Sequence, residues 1–132
     1  MTLQDRSLES LLSGLRAAAD PSRLRLLSAC AQGEWTVTEL TQVLAQSQPR
    51  VSRHLKLLAD AGLLERLREG SWVFYRRAQS GTGARLARSL CRLLPGDHPD
   101  LVLDRQRLAA VRAARQEVAA RYFAAKAASW DQ

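Results

Sequence analysis

The residues best suited to chemistry lie between positions 47 and 77. This segment carries seven basic and three acidic side chains, a net charge of +4, in a chain of 132 residues with a net charge of +7. If a helix runs over 48–61 with Val51, Leu55 and Leu58 inward, a small, polar and basic face points outward. Short side chains let a helix enter the major groove of DNA, and arginines reach base edges and phosphates. The pattern favours a polyanionic partner, nucleic acid before membrane.

The outward face comprises Pro49, Ser52, Arg53 and Lys56, with Arg50 on one flank and His54 nearer the apolar edge. These charges could instead form an ordinary solvated helix face, which is where most helix charges lie. Two neighbouring features favour the nucleic-acid interpretation: a short helix just before this one, and a basic hairpin just after it that could contact the adjacent backbone. The hairpin arginines are Arg66, Arg68, Arg76 and Arg77.

Four helices are predicted in the first half of the chain from apolar residues at three- and four-residue spacing. They cover about residues 5–19, 22–32, 36–44 and 48–61. Asp20 is a suitable N-cap for the second helix, and Thr36 with Glu39 has capping-box spacing for the third. Ser47 is the candidate N-cap of the fourth. The third and fourth helices form a two-helix unit whose second member is basic at its start.

The helical spacing of the apolar residues ends at about residue 62. Two short runs, Leu63–Arg68 and Trp72–Arg77, flank Glu69-Gly70-Ser71 and predict a β-hairpin. A helix over about 82–94 follows, and a Pro-Gly-Asp-His-Pro segment breaks it. We expect Asp104 to cap a long helix that reaches about Ser129. The predicted fold class is mainly α (α+β), with residues 1–94 as one domain and 95–132 as a linker and C-terminal helix.

Composition excludes several classes of protein. Hydrophobic residues at 46% and charged residues at 25% are typical of a soluble globular chain. No apolar run approaches the roughly 18 residues that span a bilayer. Asp5, Arg6 and Glu9 interrupt any hydrophobic region of a signal peptide. We therefore expect a soluble cytoplasmic protein that contacts no membrane.

Five segments of the chain share a recognisable pattern: residues 18–27 (AADPSRLRLL), 47–58 (SQPRVSRHLKLL), 61–64 (AGLL), 68–70 (REG) and 75–76 (YR). Together they closely resemble the ArsR/SmtB family of winged-helix transcriptional repressors. The resemblance covers about residues 8–94 and implies a winged helix-turn-helix with a recognition helix at 48–60 and a wing at 66–76. It also implies a homodimer built largely from the first helix and the helix after the hairpin.

Carried over by position, the resemblance implies that five residues face the major groove, namely Ser47, Gln48, Ser52, Arg53 and His54. It also implies that Arg68 and Ser71 lie on the wing. Together with the outward face, the candidate DNA-binding residues are Ser47, Gln48, Pro49, Arg50, Ser52, Arg53, His54, Lys56, Arg68 and Ser71. The function implied is that of a homodimeric transcriptional repressor that binds double-stranded DNA sequence-specifically. An effector releases the repressor from the DNA. Such a protein is not an enzyme and needs no cofactor.

The metal sites of the family have no counterpart here. Thr36 and Thr38 stand where metal sensors carry a Cys-x-Cys pair, and hydroxyl groups bind soft metals poorly. The helix at 82–94 has no Asp, His or Glu for the family's other site. His98, with Asp97 and Asp100 beside it, offers one nitrogen ligand in a Pro-broken loop. We expect no metal site, so an organic effector or a redox signal is favoured.

Two cysteines, Cys30 and Cys91, leave two interpretations open. They are too few for a disulfide framework or a zinc cage. The family's thiol sensors pair one cysteine on the second helix with one after the hairpin, and Cys30 and Cys91 lie on those two elements, each displaced by a few residues. The alternative, which we favour, is that both are small core residues.

The tail, residues 95–131, resembles the linker of fusion proteins that join this winged helix to an S-adenosylmethionine-dependent methyltransferase. That resemblance implies an alternative function, a regulatory domain that docks nucleic acid or substrate for a methyltransferase. The chain carries no glycine-rich nucleotide loop, so these residues cannot themselves transfer a methyl group. For the tail helix we favour the role of a dimer-packing arm.

Overall fold

The computed structural model describes residues 3–130, with side chains from residue 7 onward. The elements are α1 (Leu3–Ala18), α2 (Pro21–Ala31), α3 (Val37–Leu44), α4 (Gln48–Asp60), β1 (Leu64–Glu69), β2 (Trp72–Arg77), α5 (Gly81–Leu93) and α6 (Pro99–Trp130). This order confirms the predicted fold class, a mainly helical chain with one hairpin and a long last helix. None of the described helices has the length and apolar character that a membrane span requires.

The side-chain caps predicted for α2 and α3 are present. The Asp20 carboxylate accepts a hydrogen bond from the Arg23 backbone N–H at 3.0 Å, and Pro21 occupies the first helical position of α2. Thr36 and Glu39 form the predicted capping box: the Glu39 N–H donates to Thr36 Oγ1 at 3.2 Å, and the Thr36 N–H donates to Glu39 Oε1 at 2.8 Å. Local side-chain chemistry therefore starts α2 and α3.

β1 and β2 pair antiparallel with Glu69 opposite Trp72, so Gly70 and Ser71 form a two-residue turn. Gly70 has a φ of 61°, the left-handed region that such turns require. Trp35 forms an isolated antiparallel bridge with Tyr75, in which its N–H and carbonyl both bond to the Tyr75 backbone. This bridge attaches the hairpin to the loop before α3.

The core lies where α2, α3 and α4 meet the hairpin. Its largest fully buried side chains are Trp35, Leu26, Leu27, Leu40, Leu55, Leu58, Leu63 and Leu108. Trp35 also donates its indole N–H to the Ala29 carbonyl at 2.8 Å, so burial leaves that group paired. Leu108 belongs to α6, so the last helix contributes to the same core as the winged domain.

The prediction that Asp104 caps the last helix is wrong. Helix α6 begins at Pro99, and the preceding His98 performs the capping: its carbonyl accepts from Val102 N–H at 3.0 Å and its Nδ1 from Asp100 N–H at 3.1 Å. Asp104 lies inside the helix and is buried against Arg25 of α2. An isolated Asp in a helical pattern resembles an N-cap, and only the packing of α6 on α2 reveals its other role.

Helix α6 packs on α2 and α3 of its own chain. The Arg107 guanidinium donates to the Val43 carbonyl at 2.9 Å, and Arg112 donates to the Gln32 carbonyl. Arg115 donates to the Glu34 carbonyl at 2.9 Å and pairs with Glu39. These arginines satisfy carbonyl groups near the ends of α2 and α3. From residue 112 to 130 the side chains of α6 are exposed. The proposed role of α6 as a dimer arm stays a prediction.

Candidate nucleic-acid interface

α3 and α4 are joined by a short turn that is anchored to α2. Ala45 follows α3 in the left-handed conformation, with a φ of 54°, and α4 begins at Gln48. In the turn, the Gln46 side-chain amide donates to Ser22 Oγ at 2.8 Å. Ser22 is itself buried at the start of α2. The angle between the two helices is therefore supported by a third helix.

α4 has one apolar and one polar face. Val51, Leu55 and Leu58 are fully buried. The opposite face is solvent-exposed at Ser47, Gln48, Pro49, Arg50, Arg53 and Lys56, while Ser52 and His54 are half-buried. The leucines pack in the interior because burying each side chain is favourable by roughly 1.5–3 kcal/mol. The same periodicity leaves the arginines in solvent.

The exposed cations of this face are available to a ligand. Within residues 7–130, neither Arg50 nor Arg53 forms an ion pair. Lys56 pairs with Asp60 at 2.8 Å, but both side chains are well exposed, and such i,i+4 pairs contribute only about 0.3–0.5 kcal/mol. A phosphate could displace Asp60 at little cost.

The N-terminus of α4 is also open to an anion. Ser47 precedes the helix in an extended conformation, but its side chain forms no capping hydrogen bond within the described part of the chain. Pro49 lies in the first turn and has no N–H to satisfy. The remaining backbone N–H groups and the positive end of the helix dipole suit a phosphate group.

His54 lies at the edge of this face rather than in its centre. Its Nδ1 is 3.3 Å from Nη1 of Arg23, which belongs to α2. Burial lowers the pKa of His54; the Asp20 carboxylate opposes this effect, and the positive charge of Arg23 adds to it. A neutral imidazole that accepts from Arg23 carries its proton on Nε2, which is buried and has no partner among the described residues. Sequence patterns gave no sign of Arg23 as a tether.

The wing presents fewer cations than its sequence suggests. Arg68 lies near the end of β1, Ser71 forms part of the turn, and both are exposed. Arg76 instead pairs with Glu65 at 3.0 Å and with Glu34 at 3.2 Å, and its pKa is raised above all by the hydrogen bond to Glu65. Arg77 is half-buried near Cys91. Of the hairpin arginines, Arg68 is the one at the turn.

The two cysteines differ in exposure, because Cys30 is buried and Cys91 is half-buried. Cys30 is buried in the core, and burial strongly raises the pKa of its thiol. Burial also raises the pKa of Cys91, an effect that Arg77 partly opposes. Cys91 Sγ lies 3.8 Å from the Leu27 carbonyl. Because the thiolate is the reactive form, both groups are poor nucleophiles at neutral pH.

The residues considered as metal ligands have other structural roles. Thr36 caps α3, and His98 uses its Nδ1 at the start of α6. In the part of the chain that the structure describes, no three His, Cys, Asp or Glu side chains converge on one point.

Comparison with known proteins agrees with this geometry. A family profile described as "Bacterial regulatory protein, arsR family" matches residues 20–66, from the N-cap of α2 into β1. The chain is similar to the arsenic resistance transcriptional regulator ArsR1 of Pseudomonas putida, with 47% identity over 62 residues, 46% of this chain and 48% of that protein. It is also similar to the arsenical resistance operon repressor of Bacillus subtilis, with 32% identity over 77 residues, 58% of this chain and 73% of that protein.

Among solved structures, a homodimeric winged helix-turn-helix DNA-binding domain from Mycobacterium bovis superposes with a TM-score of 0.61 and 27% identity. The match covers 74% of this chain and 94% of that domain. The predicted winged helix-turn-helix is thereby confirmed. The chain spans about half the length of curated relatives such as the Pseudomonas protein. These matches give no support to the methyltransferase alternative.

Proposed function

The chain belongs to the arsR family of bacterial regulatory proteins, and on that premise we propose that it is a homodimeric, sequence-specific DNA-binding repressor. The observation that carries the proposal is the polar face of α4, on which Gln48, Arg50 and Arg53 are exposed while the apolar face is buried. α4 acts as the recognition helix in the major groove, and Arg68 and Ser71 contact the adjacent backbone from the wing. The protein acts in the cytoplasm and not as an enzyme.

The homodimer is supported by apolar side chains that the single chain leaves in solvent. Four leucines of α1 are at least one-third exposed, namely Leu8, Leu11, Leu12 and Leu15, and Leu93 of α5 is exposed as well. α1 and α5 pack side by side, and exposed leucines on adjacent helices offer an apolar surface for contact between copies. A two-fold dimer through this surface presents two α4 helices to half-sites about 10 base pairs apart, or a multiple of that.

Selection of bound duplexes from a random-sequence library, followed by affinity measurement at several salt concentrations, tests this function. We expect selected sites to be pseudo-palindromic and bound by two chains. Affinity should fall steeply with salt, because each phosphate neutralised releases a counterion. Equal affinity for selected and scrambled duplexes would refute sequence-specific binding, and binding by one 14.7 kDa chain would refute the dimer.

Release by an effector completes the proposal. Since the structure brings no metal-ligand cluster together in the residues it describes, we propose an organic effector rather than a metal ion. The methyltransferase-docking role has no support from the relatives, and the repressor is the function we retain.

A further inference from the structure

A groove of about 760 Å³ lies between the wing and the C-terminal half of α6. One wall is made by Trp72 and Phe74 of β2, and the other by Val118, Tyr122 and Phe123 of α6. Pockets for small organic ligands have volumes of roughly 300–1,000 Å³. The groove therefore has the size of a small-molecule site, and three separate elements, β2, α3 and α6, form it.

The groove concentrates the aromatic residues of the chain. Its walls hold four of the seven aromatic side chains (three Trp, two Tyr and two Phe). Trp72, Tyr122 and Phe123 are 64%, 56% and 67% exposed. Large apolar side chains gathered in solvent mark binding surfaces, because each forgoes the free energy of burial. Aromatic faces stack favourably on other aromatic rings.

The floor of the groove carries paired charges. Arg115 Nε donates to Glu39 Oε2 at 2.7 Å, and its Nη2 donates to the Glu34 carbonyl at 2.9 Å. The same guanidinium lies over the rings of Trp35 and Phe74, 4.9 and 5.9 Å from their centroids. Burial is the largest single influence on the pKa of Glu39 and raises it, but the hydrogen bonds from Arg115 and Thr36 and the positive charge of Arg115 together outweigh burial, so the pKa is lowered. With both charges satisfied, the floor offers no counterion to a charged ligand.

We propose that this groove binds a planar, uncharged aromatic molecule, which on the proposed repressor function is the effector. Trp72 directly follows Ser71 at the turn of the wing, and Gln42 on the floor belongs to α3. A ligand between them touches both the wing and the helix-turn-helix. If the ligand binds one arrangement of the wing and the helix-turn-helix more tightly than another, its binding changes the affinity for DNA. DNA binding then changes the affinity for the ligand by the same factor.

Titration of the full chain with N-phenyl-1-naphthylamine, an uncharged aromatic fluorophore, tests the site without DNA. We expect saturable binding of one probe per chain. Val118→Asp should weaken it at least about tenfold, because the probe must then desolvate a carboxylate in the wall. Ala120→Asp is the matched control: it places the same charge on the same helix, at an exposed position outside the groove, and should bind like the wild type.

Competition with 2-naphthol and 2-naphthoate tests the charge of the ligand. The uncharged naphthol should displace the probe at a concentration at least about tenfold lower than the carboxylate. Equal probe binding by the two Asp variants, or preference for the carboxylate, would overturn the proposal. So would a wild-type chain that binds no probe while Val118→Asp reduces its self-association, since the groove would then be a contact between copies. If the chain bound no DNA, the proposed repressor function would be refuted. The probe titration would still test the groove, because it uses no DNA.

Discussion

Arg25 of α2 holds Asp104 of α6 through two hydrogen bonds, Nε to Oδ2 at 2.9 Å and Nη2 to Oδ1 at 2.7 Å. The two side chains are 16% and 4% exposed, and the pKa of Arg25 is raised mainly by this hydrogen bonding. A bidentate pair fixes orientation as well as position. It determines which face of α6 meets the domain, and therefore which side chains of the same helix face the wing.

Removing one partner of this pair should be costly. Asp104→Ala leaves the Arg25 guanidinium buried without a counterion, and we expect the free energy of unfolding in urea to fall by about 3 kcal/mol. Adding Arg25→Met to that variant should restore part of the loss, because no charge is then buried. Asp60→Ala, which breaks an exposed pair, should change stability by less than about 0.5 kcal/mol. A similarly small effect of Asp104→Ala would contradict the interpretation.

Arg53 should contribute to sequence discrimination. If it reads a base edge, Arg53→Ala weakens the selected duplex by about 1–3 kcal/mol and scrambled DNA by much less. Arg105→Ala removes the same charge from an exposed position on α6, where Arg105 bonds the Gly96 carbonyl, and should leave discrimination unchanged. Electrophoretic or fluorescence titrations with both duplexes measure the difference. An equal loss of affinity for the selected and the scrambled duplex would show that Arg53 contacts a phosphate and not a base.

The apolar surface of α1 should be needed for assembly. Leu12 and Leu103 are both 40% exposed, but Leu12 lies on α1 and Leu103 on α6. Leu12→Arg should shift the chain from dimer to monomer in sedimentation equilibrium, because a charge would be buried between copies. Leu103→Arg should leave the dimer intact. Two variants with the same molecular mass as the wild-type assembly would argue against dimerisation through α1.

Stability should depend on pH through His54. Its pKa is lowered in the folded protein, chiefly by burial, so the unfolded chain binds the proton more readily. The contribution of His54 is thus complete above its ordinary pKa of 6.5 and is lost as the pH falls from there toward the folded-state value. His54→Gln should flatten this part of the profile of unfolding free energy against pH. An unchanged slope between wild type and variant would show that His54 is not responsible.

The cysteines should not respond to mild oxidants. Burial raises the pKa of both thiols, so little thiolate exists at neutral pH. We expect oxidant treatment to affect DNA affinity equally in the wild type and in the Cys30→Ala/Cys91→Ala variant. If oxidation releases DNA from the wild type alone, the thiol-sensor interpretation is right and the core interpretation is wrong.

The sequence alone predicted the features that depend on neighbours within a few residues. The caps at Asp20 and Thr36, the turn at Gly70 and the two faces of α4 all follow from spacing along one helix or hairpin. Such signals act over one helical turn, so they can be read without knowing the rest of the fold. The winged helix-turn-helix was predicted from the resemblance of several segments to the ArsR/SmtB family and not from these local signals.

Tertiary structure decided which of those local features meet. Asp104 looks like a cap in the sequence, but 79 residues separate it from Arg25, and that pairing makes it an interior residue of a longer helix. The tie between His54 and Arg23, and the groove between Trp72 and Tyr122, likewise join distant segments. Periodicity shows that a face is apolar or charged, but the packing of whole helices determines what lies opposite it.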